Sequence, residues 1–273
     1  MRDWKCTTRK GKRMKSKKHV VVLATVLVSS VAFVQPANAD FQKIDEIHLS
    51  TSTSHHGIAF DGSNWHIADP WDDIFNTYDR NFVFLRTRRV AGVGDMRGLT
   101  FDKNSGNLFV GDHDTNIVRE VTLDGVEIQQ FQVSHHVNAL AYDAVTDTIW
   151  TAAYTGVIER RTRTGSLISS FDRGEQWTGL AFDEFNNTLI TLEDGDTFYE
   201  FQTDGTLIAR IIPTDQLPYN GLGAAYDAAT GTLYATSQSP GIVTVFQDPA
   251  RIPEPATVVL LGLGGVALVC RRR

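Results

Sequence analysis

The chain has 273 residues, 26 basic against 32 acidic side chains for a net charge of −6, and two cysteines. Cys6 and Cys270 both lie in the terminal segments, so the body between them has no disulfide framework and no cysteine nucleophile. Residues 40–252 hold 14 basic and 30 acidic residues, a charge of −16, which opposes binding to nucleic acid, where Lys and Arg must supply the affinity, and adsorption to anionic lipid.

From the N-terminus, residues 1–19 are rich in Lys and Arg, residues 20–34 are apolar, and QPANAD follows. A basic segment, an apolar segment and a small-x-small site predict a signal peptide over residues 1–39. Signal peptidase would cut after Ala39 and leave Asp40 first. The long basic segment also allows a start at Met14.

The body repeats. GIAFD ends at Asp61, GLTFD at Asp102, ALAYD at Asp143, GLAFD at Asp183 and GAAYD at Asp227, at spacings of 41, 41, 40 and 44 residues. A polar turn and a second apolar segment follow each (NWHIAD, NLFVGD, TIWTAA, TLITLE, TLYATS), then a third alternating segment and in most copies a fourth. Alternation with β-branched and aromatic residues and Asp-Gly corners predicts antiparallel strands. Four strands in about 40 residues are the mark of a β-propeller blade. The fifth copy supplies only three strands and ends at Asp248, while FQKIDEIHLS, residues 41–50, is a strand without a home. The expectation is an all-β, five-bladed β-propeller over residues 40–250, closed by the N-terminal strand, which removes an exposed sheet edge.

In a propeller the innermost strands line a central channel, and the loops entering them share a face with the loops between second and third strands. Shortly before each repeat Asp stand His56, Arg97, Asn138, Thr178 and, with an insertion allowed in NGLGAAYD, Asn220. They predict a polar ring at the channel mouth. The same face receives Trp71, Asp112, His113 and Tyr154. Trp71 and Tyr154 suit a sugar face or a peptide. Carboxylates and Asn carbonyls suit calcium and imidazoles suit zinc, so Ca²⁺ or Zn²⁺ is the cation such a rim would take, with Asp112 and His113 as candidate ligands. The repeat aspartates read as turn caps, and Phe60, Phe101, Tyr142, Phe182 and Tyr226 as core between blades. No phosphate loop, nucleophile elbow or dinucleotide fingerprint is present.

The repeat text GLxFD…G-x-L-[YF]-V-x-D resembles the propeller families around gluconolactonases and the NHL-type repeats. That resemblance implies a channel metal held by a Glu, an Asn and an Asp. Here His56 and Arg97 occupy two of the ring positions, only Asn138 and Asn220 match, and no Glu opens an innermost strand.

At the C-terminus, Pro253-Glu254-Pro255 precedes a 15-residue apolar run, residues 256–270, and then Arg271, Arg272 and Arg273. The run is short of the ~20 residues of an ordinary span, and the arginines would stay cytoplasmic. This trio over residues 251–273 resembles the PEP-CTERM sorting signal, which implies a short transmembrane helix and processing by an exosortase near the Pro-Glu-Pro. The functional expectation is an exported surface or matrix module that binds polysaccharide or protein. The alternative is a metal-dependent, lactonase-like hydrolase on the same rim.

Overall fold

A computed structural model describes residues 41–248, except 52–53, 195–196, 212–216, 218–220 and 238–240. The expected signal peptide, the segment with Pro253, Glu254, Pro255, the apolar run and the three arginines, and Asn220 lie outside the described residues. Among these residues twenty strands form five four-stranded antiparallel sheets, one per repeat.

The chain enters through β1 (Gln42–His48). Blade 1 is β2 (Ile58–Phe60), β3 (Trp65–Asp69), β4 (Ile74–Tyr78) and β5 (Phe84–Arg89). Blade 2 is β6 (Met96–Asp102), β7 (Asn107–Asp112), β8 (Ile117–Val121) and β9 (Glu127–Gln132). Blade 3 is β10 (Ala139–Asp143), β11 (Thr148–Ala152), β12 (Val157–Thr162) and β13 (Leu167–Asp172). Blade 4 is β14 (Trp177–Asp183), β15 (Thr188–Glu193), β16 (Thr197–Gln202) and β17 (Leu207–Ile211). Blade 5 is β18 (Gly221–Asp227), β19 (Thr232–Ser237) and β20 (Ile242–Gln247), and β1 completes it by pairing with β20 from Gln42↔Gln247 to His48↔Ile242. The strand that opens the chain thus closes the ring.

Each turn from first to second strand is built by the repeat aspartate. Asp102 Oδ1 accepts the N–H groups of Asn104 and Ser105, and Asp143 Oδ1 those of Val145 and Thr146. Asp61, Asp183 and Asp227 cap their turns in the same way. The aspartate satisfies backbone donors that the tight turn would otherwise leave unpaired.

The core is divided among five seams, one at each blade interface. Trp150 and Ile158 of blade 3 meet Trp177, Leu180 and Phe201 of blade 4. Ile190, Leu192 and Phe198 of blade 4 meet Leu233 and Phe246 of blade 5 and Phe41 beside β1. Val243 of blade 5 packs with Trp65, Ile67 and Tyr78 of blade 1. Phe60, Phe101, Tyr142, Phe182 and Tyr226 each belong to or abut one seam.

Polar stitches reinforce the seam between blades 2 and 3. The Arg163 guanidinium pairs with the buried Asp102 and Glu120 carboxylates, and Asn104 Nδ2 donates to Tyr142 Oη at 2.9 Å. Burial pushes the Asp102 carboxyl up, but the hydrogen bonds from Ser105 and Arg163 more than offset it, so it stays below the ordinary carboxylate range.

Candidate functional site at the channel mouth

The innermost strands crowd together where they begin. Gly57, Gly98, Ala139, Gly179 and Gly223 stand at one repeat position. Gly57 N donates to the Arg97 carbonyl at 2.7 Å, and a Cβ on Gly57 would lie 2.6 Å from that same oxygen. A Cβ on Gly223 would collide with the His56 carbonyl oxygen. Small residues let the five strands converge, and the residue before each is carried onto the rim. Those residues are His56, Arg97, Asn138, Thr178 and Leu222.

The fifth position corrects the sequence-based ring. Blades 2, 4 and 5 carry the same irregularity in their innermost pair, between Met96 and Gly98, Trp177 and Gly179, and Gly221 and Gly223. Blade 5 therefore needs no insertion to align, and Leu222 is its described residue at the ring position. Among the described residues, four polar side chains and one leucine make the ring.

The ring floors a cup of about 230 Å³, walled by Pro70 and Trp71 from the β3–β4 loop, Tyr154 from β11–β12, Asp194 from β15–β16, and Asp95. Trp71 is 73% exposed, and its backbone N–H donates to Asp69 Oδ1 at 3.1 Å. Tyr154 donates its hydroxyl proton to Asp194; that hydrogen bond, with some burial, holds the phenol above its ordinary range. A second cavity, lined by the five aromatic core residues and by Ala59, Ala141, Ala181 and Ala225, occupies the opposite end of the channel.

The floor is electrically subdued. Burial, and then the positive charge of Arg97 and the neighbouring His113 and His55, push the His56 imidazole from its usual value down to about 3. At neutral pH it is an uncharged donor and acceptor. Arg97 is held by Asp95, with Nε at 2.8 Å and Nη2 at 2.7 Å from one carboxylate oxygen. Thr178 Oγ1 donates to the Gly221 carbonyl at 2.9 Å. Asn138 is 3% exposed; its Nδ2 donates to the Trp177 carbonyl at 3.2 Å, while its Oδ1 is buried with no partner among the described residues. An orphan acceptor of this kind costs about 1–3 kcal/mol, and it belongs to a side chain that lines the cup.

Asp112 and His113 separate. Asp112 is fully buried and spends its carboxylate on the Asp114 N–H, the Thr115 hydroxyl and Arg119 Nη1 at 3.2 Å. It caps its own turn and does not line the cup. His113 instead sits with Nδ1 3.4 Å from Asp95 Oδ2 and stacks on His136 with ring centroids 4.5 Å apart. Among the described residues one group could hold a metal, Asp95, His113 and Asp114, with donor atoms within 4.8 Å of one another. Burial, and then Arg97, keep His113 below its ordinary value, so it is available as a neutral ligand. Against this, Arg97 already neutralises the Asp95 oxygen that a cation would need.

Asp194 lies in a second-to-third-strand loop, where the repeat register puts it on this face, whereas Asp95 was missed in the sequence because it falls on no repeat position. The signal for Asp95 was its place two residues before Arg97. The histidine pairs divide their labour: His55 is buried against Thr51 Oγ1 and His56 lines the cup, while His135 meets Thr151 and His136 is exposed.

Residues 251–273 match the PEP-CTERM protein-sorting motif. The chain carries an exosortase sorting tail. It is therefore an exported propeller, anchored in the membrane before exosortase processing and then released to the cell surface. No curated protein matches it in sequence. In three dimensions it is similar to a glutaminyl cyclase from Myxococcus xanthus, at a TM-score of 0.62 and 13% identity over 77% of this chain and all of that one. At that identity the likeness carries the fold alone.

Proposed function

We propose that this protein is a binding module that holds one sugar unit of an extracellular polysaccharide in the channel-mouth cup. The observation that carries the reading is Asn138, which lines a cup walled by Trp71 and Tyr154 and whose buried Oδ1 has no partner among the described residues. Aromatic faces pack against the apolar face of a sugar ring. A neutral imidazole and the Arg97–Asp95 pair offer hydrogen bonds to hydroxyl groups, and a turn of the Asn138 side chain towards a bound hydroxyl would relieve its orphan oxygen. At about 230 Å³ the cup falls below the roughly 300–1,000 Å³ of sites for drug-sized ligands, which fits a single ring. Signal peptidase would release residues 1–39, residues 40–250 would form the module, and residues 251–273 would serve sorting.

The test is retention on the producing cell's extracellular polysaccharide, comparing the secreted protein with Asn138→Leu and Trp71→Ala. Both substitutions should abolish retention, Trp71→Ala without lowering thermal stability and Asn138→Leu while the protein remains folded. Equal retention of all three would overturn the reading and turn attention to a surface-protein partner.

A second reading, metal-dependent hydrolysis beside the cup, is favoured by the Asp95–His113–Asp114 group, of which Asp95 lines the cup. It requires calorimetric binding of Ca²⁺ or Zn²⁺ that His113→Ala abolishes; absence of binding to the folded protein would end it.

A further inference from the structure

Both described chain ends leave the propeller on one face. β1 begins at Gln42, which pairs with Gln247, the last residue of β20. Asp248 then donates its N–H to the Gly231 carbonyl at 2.8 Å and accepts from the Tyr226 hydroxyl at 3.2 Å. Gly231 belongs to the turn between β18 and β19. The exits therefore lie among the turns that join first to second strands, and the cup lies on the opposite face, among the loops that join second to third strands.

The exit face carries exposed apolar tips. Val145, 81% exposed, and Phe185, 74% exposed, stand in the first turns of blades 3 and 4, and Val126, 62% exposed, follows the β8–β9 corner of blade 2.

We infer that, while the sorting tail is in the membrane, this exit face rests on the lipid bilayer with Val145 and Phe185 in contact with it, and the cup is directed away from the membrane. The length of the leash decides between orientations. Residues 249–255 separate Asp248 from the apolar run that begins at Ala256. At ~3.6 Å per residue those eight steps reach at most about 29 Å. To bring the cup to the bilayer, the leash would first pass β1, about 10 Å outward at ~4.8 Å per strand. It would then run the length of a six-residue strand such as β20, about 20 Å, with the depth of the loops still to come. The exit face needs no such path. The body is acidic, so the contact draws on tethering and apolar insertion rather than on headgroup charge.

The experiment exploits a body without cysteine. In the full chain carrying Cys6→Ser and Cys270→Ser, single cysteines are introduced as Val145→Cys on the exit face or Thr155→Cys on the cup face, both at exposed loop positions. Each is labelled with a fluorophore and reconstituted into phosphatidylcholine vesicles containing nitroxide-labelled lipid. The label at 145 should be quenched severalfold more than the label at 155. Equal quenching, stronger quenching at 155, or no quenching at 145 would each overturn the inference. Phe185→Cys repeats the measurement at an independent site should Val145→Cys fail to fold. The result does not depend on what the cup binds.

Discussion

Replacing His56 with Gln isolates the cost of keeping an uncharged imidazole beneath the cup. The side chain is 8% exposed and its pKa is lowered to about 3 by burial, then by Arg97, His113 and His55. In the unfolded chain it titrates near its ordinary value of 6.5. Between those two values the unfolded state binds the extra proton, so acid favours unfolding. The His56 contribution is fully present above pH 6.5, declines as pH falls below it, and is exhausted near pH 3. At ~1.36 kcal/mol per pH unit, the 1.5 units between 6.5 and 5 cost about 2 kcal/mol. Urea unfolding of wild type and His56→Gln at pH 7 and pH 5 reads this directly. His113 and His135 are also lowered, chiefly by burial, but they are common to both proteins and cancel. The gap between the two proteins should shift by about 2 kcal/mol in favour of His56→Gln on going from pH 7 to pH 5. A gap that is the same at both pH values would refute the buried, neutral imidazole.

Arg163→Met should destabilise the propeller by about 3–5 kcal/mol at pH 7, because it strands the buried carboxylates of Asp102 and Glu120; denaturant melts check it. Since the folded Asp102 pKa is depressed, its contribution is present above the ordinary carboxylate pKa and lost as pH falls below it, so the deficit should shrink towards pH 3. Trp150→Ala, at a fully buried ring in the seam between blades 3 and 4, should cost about 3–5 kcal/mol. Trp71→Ala, at an exposed loop tip, should change stability by less than about 0.5 kcal/mol while abolishing polysaccharide retention. Mass spectrometry of the surface protein should find Asp40 at the N-terminus and no residues beyond the Pro253-Glu254-Pro255 segment; an intact Arg273 on the mature protein would contradict processing.

The propeller was legible because each blade repeats its own instructions. The Asp that ends GLTFD caps a turn, the aromatic before it fills a seam, and the small residue at its start lets the strands converge. Alternation and spacing report all three. The closure by residues 42–48 was legible from a deficit, since the fifth copy lacks one strand. The rim was legible only where it follows the repeat. His56, Arg97, Asn138 and Thr178 precede a marker at fixed distance, and the register carries them to one place. Blade 5 misled, because NGLGAAYD offers an asparagine one step before a strand whose ring position is Leu222. The metal donors also diverged from expectation. Asp112 and His113 are adjacent in sequence, but the last residue of a strand caps its own turn while the next residue enters the loop. Their side chains part, and His113 finds Asp95 from the preceding loop, a pairing no local pattern contains.

The cup as a sugar site is tested most directly by titrating oligosaccharide fragments of the cell's own extracellular polysaccharide into the protein while following tryptophan fluorescence, with Asn138→Leu as the comparison and Trp71→Ala to assign the signal. A saturable change in the native protein that is absent in Asn138→Leu is the expected result. Saturation at the same concentrations in both proteins, or in neither, would contradict it.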